Sequence, residues 1–162
     1  MPKILLEAGS VELSFGPRTI LEIKELKIYD GDRIGLIGEN GAGKTTLLRV
    51  LSGERAPDAG TVRRFSEIAF IRQMGEADGE SDARLRSEFD AQEHREGLSG
   101  GEQTRRRIAA ALSRRAHLLF ADEPTTDLDA EGAAQLRREL AAYDGAMVLV
   151  SHDRSLLDAL CT

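Results

Sequence analysis

With 162 residues, 41% of them hydrophobic, the chain is long enough for one globular domain with its own core. Its apolar runs fall well short of the roughly 18 residues a membrane span needs, and the single Cys161 excludes an internal disulfide. The net charge of −6 is concentrated in residues 74–97, where eight acids face three arginines for a net of −5.

The N-terminus has too little apolar length for a signal peptide, so a soluble cytoplasmic protein is expected. Outside residues 74–97 the chain is near neutral, which argues neither for nor against a nucleic-acid partner.

Residues 3–37 read mostly as strands. Val11, Leu13 and Phe15 alternate with polar residues before a Gly16-Pro17 turn, and Asp30-Gly31-Asp32 marks a second turn. Residues 33–37 form a short apolar run suited to a buried strand. From residue 44 to 51 the spacing predicts a helix, with Leu47, Leu48 and Leu51 on one face and Gly53 as the stop. A Pro/Asp/Gly loop at 56–60 leads to one or two further strands over 61–72. Residues 74–97 are acidic and poor in large apolar side chains, which predicts a solvated connection outside the core. Helices are expected over 99–115, 130–143 and from 154 onward. The continuous apolar runs at 118–121 and 147–150 read as strands buried on both faces. Strands alternating with helices imply a mainly parallel α/β sheet flanked by helices. The helical pattern breaks off at Cys161-Thr162, which reads as a piece of a longer polypeptide.

The sharpest local signal is Gly38-Glu39-Asn40-Gly41-Ala42-Gly43-Lys44-Thr45, set between a strand and a helix. Glycines let such a loop wrap a phosphate and aim N–H groups at it, and the helix N-terminus adds partial positive charge. Gly38, Asn40, Gly41 and Gly43 would form the cradle. Lys44 would reach the outer phosphates, Thr45 would bind Mg²⁺, and Thr46 offers a further hydroxyl.

Residues 118–124 carry a buried strand into two adjacent acids, Asp122 and Glu123. Ligands gather at the carboxyl ends of such strands. Asp122 is a candidate Mg²⁺ holder and Glu123 a candidate general base. The alternative is a solvated Asp-Glu turn. A second Gly-rich helix start, Leu98-Ser99-Gly100-Gly101-Glu102-Gln103, offers a second phosphate surface or an ordinary capping box of Ser99 and Glu102. His152 follows another buried strand and is placed to address a γ-phosphate or a water, whereas His94 and His117 read as structural. Gln73 is a candidate contact for Mg²⁺ and the attacking water. Phe15 is a candidate either to stack on adenine or to sit in the core. Arg105, Arg106, Arg107, Arg114 and Arg115 read as a solvated helix face paired with acids, or as an rRNA contact.

In this order the motifs resemble the ATP-binding cassette (ABC) ATPases: P-loop 38–46, Q-loop Gln73, signature 98–103, Walker B 118–123, the Asp127-Leu128-Asp129 D-loop and switch His152. The resemblance covers nearly the whole chain as one nucleotide-binding domain. It implies a P-loop NTPase fold with an N-terminal antiparallel β subdomain and a shortened helical subdomain. It also implies ATP and Mg²⁺ as cofactors. Ser99, Gly100 and Gly101 would serve the ATP of a second cassette. Three features resemble the ABC-F branch of translation and ribosome-protection factors. They are Ser-His-Asp-Arg at 151–154, the wording LSGGEQTR, and the short interval 74–97 where transporters carry the subdomain that docks on their membrane domain. The resemblance is to the first cassette of the antibiotic-resistance ABC-F group, and it makes the ribosome a partner. The alternative is the ATP-binding subunit of a membrane transporter. Asp127 departs from the Asn usual in the ABC-F branch.

Overall fold

The N-terminal strands β1 (Ile4–Phe15) and β2 (Arg18–Tyr29) form a hairpin whose turn is Gly16-Pro17. The computed structural model describes residues 1–39, 43–74, 83–89 and 100–161, and the Phe15 side chain lies outside what it describes. After β2 come β3 (Arg33–Leu36), α1 (Lys44–Ser52), β4 (Ala59–Arg64), β5 (Ile68–Ile71) and α2 (Ala83–Glu88). They are followed by α3 (Gly100–Ser113), β6 (Leu118–Asp122), α4 (Ala130–Ala141), β7 (Ala146–Val150) and α5 (Arg154–Leu160).

The described strands make two sheets. One is antiparallel in the order β2-β1-β4, and the other runs β3-β7-β6-β5 with every pair parallel. Residues 61–72, read as one or two strands, contribute to two: β4 closes the antiparallel sheet and β5 lies at the end of the parallel one.

Alternation along the parallel strands divides the interior in two. Leu118, Phe120, Ala146, Val148 and Val150 face the antiparallel sheet and Leu47, Leu48 and Leu51 of α1. Leu119, Ala121, Met147 and Leu149 face the opposite side, against Ile108 of α3, Leu136 and Leu140 of α4, and Leu156 of α5. Both β6 and β7 are buried along their full length, as continuous apolar runs require. Asp129 and Asp153 cap α4 and α5, accepting from the Gly132 and Leu156 amides at 2.8 and 3.2 Å. The hydrogen bond from the Gly132 amide holds the Asp129 carboxyl below the usual range.

Two expectations need correction. The run at 33–37 is not a fully buried strand. β3 pairs only with β7 among the described residues, its side chains are half-buried, and Ile37 lies beyond it, exposed. Nor is the acidic stretch wholly outside the core. It contains α2, and Leu85 and Phe89 are each 2% exposed within the core formed with α3 and α4. The reason is spacing: residues four apart share a helix face, so two apolar side chains in a polar stretch still reach the interior together. The charged side faces out, where Arg84 pairs with Glu88 at 2.8 Å and with Glu139 at 3.1 Å.

If α2 is anchored in this way, Leu85→Ala should lower the unfolding free energy by about 2–5 kcal/mol. Urea unfolding measures this; a change below about 0.5 kcal/mol, usual for a surface position, would return the segment to solvent.

Candidate functional site

Parallel strands place the residues that follow them at one end of the sheet, and here that end is a cleft of about 610 Å³. Lys44, Thr45 and Thr46 enter it from the start of α1, Gln73 from just past β5, Asp122 and Glu123 from the end of β6, and His152 from just past β7. Residues separated by more than a hundred positions thus share one wall. Asn40, Gly41 and Ser99 lie outside the described residues, as does His94.

The P-loop is tied down at both described ends. Gly43 caps α1 with φ 87°, a left-handed conformation that favours glycine. A Cβ there would also come within 2.8 Å of Ile20 on β2, so this end of the loop is closed by the antiparallel sheet. At the other end the Lys44 ammonium donates to the Gly38 carbonyl. The α1 N-terminus supplies peptide N–H groups beside that ammonium, the combination that favours an anion.

Opposite it stand the carboxylates. Asp122 is 2% exposed, and its Oδ2 accepts a hydrogen bond from Thr45 Oγ1 at 2.7 Å. Its Oδ1 is buried without a hydrogen-bond partner, and so is Glu123 Oε1. Desolvated carboxylate oxygens left in this way are costly unless something positive or proton-donating faces them. A hydroxyl and a carboxylate at hydrogen-bond distance, beside an unpartnered oxygen, form a hard oxygen donor set that suits Mg²⁺ held jointly with phosphate oxygens. The residues present therefore fit that ion. Among the described residues no cluster of three or more His, Cys, Asp or Glu forms a self-sufficient metal cage, and such a shared site needs none.

Glu123 is held in a rare conformation. Its φ is 46°, its amide donates to the Val150 carbonyl at 2.8 Å, and its carbonyl accepts from the Thr126 amide at 3.1 Å. Left-handed backbone at a bulky residue is strained and persists where the surroundings enforce it. The two bonds enforce it here and turn the carboxylate into the cleft. The His152 amide donates to Glu123 Oε2 at 3.3 Å, and His152 Nε2 lies 3.2 Å from Oε1 without hydrogen-bond alignment. The His152 side chain remains 57% exposed, free to address whatever enters.

Gly100 and Gly101 are apart from this cleft. A Cβ on Gly101 would come within 2.7 Å of the Asp127 carbonyl oxygen, and one on Gly100 within 3.0 Å of Asp127 Oδ2. Asp127 itself has φ 64°, a conformation that Asp and Asn tolerate better than most residues. Gly100 and Gly101 thus lie close against Asp127, where a side chain on either would be crowded.

The arginines of α3 divide. Arg105 pairs with Asp129 at 3.1 Å and Arg114 with Glu67, the expected solvated pairing. Arg107 turns inward and is buried. Three cleft residues are not among the sequence candidates for the site: Ile20, Thr126 and Val150, the last read only as part of a buried strand. Ile20 is one apolar residue among many in a strand, and nothing in its type marks it. Thr126 sits in the turn after Asp122-Glu123, and that proximity was the available signal.

The sequence profile of the family described as ABC transporter matches residues 21–84 and 69–126. The ATP-binding protein Uup of Caulobacter vibrioides is 40% identical over 196 residues, covering 99% of this chain and 31% of that protein. The erythromycin resistance ATP-binding protein MsrA of Staphylococcus epidermidis is 38% identical, covering 86% of this chain and 30% of that protein. A solved structure, the complex of archaeal ribosomal stalk protein aP1 and archaeal ribosome recycling factor aABCE1, contains a similar fold. The match has a TM-score of 0.85 and 26% identity, over 99% of this chain and 36% of that one. The chain spans about a third of the length of these relatives. Among the described residues no helix is long and apolar enough to cross a membrane.

The close approach at Gly101 has a measurable consequence. Gly101→Ala should destabilise the chain by about 1–3 kcal/mol, because the added methyl meets a backbone oxygen that cannot swing aside. Denaturant unfolding reads it, and an unchanged midpoint would mean the turn and the D-loop are not in contact.

Proposed function

The chain belongs to the ATP-binding cassette family, and from that premise we propose that it binds Mg-ATP in the cleft and hydrolyses it with a second cassette. The observation that carries this reading is the Thr45–Asp122 hydrogen bond beside two buried carboxylate oxygens that accept no hydrogen bond, with Lys44 lining the same cleft.

In this mechanism the P-loop amides and Lys44 bind the phosphates and offset their charge. Asn40 and Gly41 belong to that loop, and Phe15 remains the candidate to meet the adenine. Thr45, Asp122 and Gln73 would hold Mg²⁺, which when bound would neutralise charge on the outer phosphates. Glu123 accepts a proton from the attacking water as general base, from a backbone position that aims its carboxylate into the cleft. His152 steadies Glu123 through its amide and presents its ring to the γ-phosphate side. Ser99, Gly100 and Gly101 act on the nucleotide of the partner cassette. Support for that division is that Gly100 and Gly101 rest on Asp127 and do not line their own cleft. The site is then composite, and a single chain hydrolyses slowly or not at all.

We place the chain in the ABC-F branch, in a cytoplasmic setting, with ATP closure controlling ribosome binding. Two similarities support this: one relative named for erythromycin resistance and a structure named for ribosome recycling. The reduced segment 74–97 stands in for a full helical subdomain and leaves little surface for a membrane domain. Ribosome protection against a drug is the expected role.

The test is ribosome co-sedimentation of a two-cassette protein carrying this chain, with Glu123→Gln and its equivalent in the second cassette. Pelleting should depend on ATP and disappear when Lys44→Ala is added. ATP-independent pelleting would break the link between the cleft and the ribosome. ATP binding without pelleting would move the chain to the transporter reading.

A further inference from the structure

Arg107 is a buried cation that the nucleotide chemistry leaves unused. It is 6% exposed and lies on the inner face of α3. Its Nε donates to the Arg72 carbonyl at 3.1 Å. Its Nη2 donates to the Gln73 carbonyl at 3.1 Å and to Thr104 Oγ1 at 3.0 Å. Thr104 Oγ1 in turn donates to the Gly100 carbonyl at 3.0 Å. One guanidinium therefore joins the backbone just past β5 to the first turn of α3.

The arrangement is specific to arginine. Two backbone carbonyls and a hydroxyl lie around it, and a planar fork can serve all three at once, which a lysine cannot. Burial pushes the guanidinium pKa down, and the Asp127 carboxylate opposes that shift. A buried charge is tolerable only when hydrogen-bonded in this way. What it holds is functionally placed. Gln73 is exposed at the cleft, just past the last residue of β5.

We propose that Arg107 is a positioning residue: it fixes the Gln73 backbone at the mouth of the cleft, locked to the signature helix, so that the Gln73 side chain meets metal-bound nucleotide. The proposal rests on the Mg-ATP reading of the cleft. It predicts that Arg107 acts on Mg-ATP only through Gln73, although the two sit on different elements and Arg107 does not line the cleft.

A double-mutant cycle on the full chain decides it, with Arg107→Met, Gln73→Ala and the pair. Affinity for ATP is measured by calorimetry in Mg²⁺ and again in EDTA, with circular dichroism as the check on folding. Each single variant should lose about tenfold in Mg-ATP affinity, as expected for one hydrogen bond to a charged group, and little in EDTA. The double variant should lose no more than either single one. Arg107→Lys, which keeps the charge but cannot reach all three acceptors, should fall between wild type and Arg107→Met; it replaces Arg107→Met in the cycle if that variant does not fold.

Losses that add, losses equal in EDTA, or no loss from either single variant would overturn the proposal. A merely structural arginine would lower thermal stability without distinguishing Mg²⁺ from EDTA. A wild-type chain that binds no ATP in either buffer would instead remove the reading of the cleft itself.

Discussion

Strand β6 is buried along all five residues, hydrogen-bonded to β5 on one side and β7 on the other, with a core on each face. It ends in Asp122, 2% exposed, followed by Glu123, whose side chain is 13% exposed, so two largely desolvated carboxylates are delivered to the wall of the cleft. Desolvated carboxylates are unfavourable without compensation. The surrounding structure is arranged to supply it. The start of α1 contributes the Thr45 hydroxyl, the P-loop contributes Lys44, and the turn after β7 contributes the His152 amide. The unpartnered oxygens of Asp122 and Glu123 are what a cation and a proton-bearing water would satisfy. The same desolvation strengthens every charge interaction within the cleft.

Arginines hold the elements around that strand in place by capping carbonyls. Helices end with backbone oxygens that lack intrahelical partners, and a cation there also meets the negative end of the helix dipole. Arg33 donates to the Leu140 carbonyl at 2.7 Å and to the Tyr143 carbonyl, closing the end of α4. Arg64, on the antiparallel sheet, donates to the Leu51 and Val50 carbonyls at 2.7 and 2.8 Å, closing the end of α1. The P-loop helix is thus fixed at its N-terminus by the contact of Gly43 with Ile20 and at its C-terminus by Arg64. Both anchors come from the same antiparallel sheet. That sheet positions α1 as well as packing against it.

Most of the candidate site was legible in the sequence because it resides in residue type at fixed spacing. A Gly-rich loop before a helix, two acids after an apolar run and a histidine after another each imply a place at the carboxyl end of a parallel strand. The structure brings Lys44, Thr45, Thr46, Gln73, Asp122, Glu123 and His152 to one cleft. What escaped was contextual. Leu85 and Phe89 are only two apolar residues in an acidic stretch, and local composition outweighed their four-residue spacing. Ile37 belongs to an apolar run but falls past the end of a strand at the margin of the described sheet. Arg33, Arg64 and Arg107 carry no sequence mark that distinguishes an inward guanidinium from a solvated one, because their acceptors are backbone carbonyls far along the chain. Tertiary hydrogen bonds of this kind become visible only when the fold is known.

If nucleotide binds at the carboxyl end of the parallel sheet, between residues 38–46 and the carboxylates after β6, titrating Mg-ATP into the isotope-labelled chain should show it in the backbone amide resonances followed by NMR. The largest shifts should fall on Gly43–Thr46, Asp122, Glu123 and His152, with little change around Tyr143 at the opposite end of the sheet. Shifts centred on that opposite end, or saturation that leaves Lys44 and Glu123 unmoved, would contradict it.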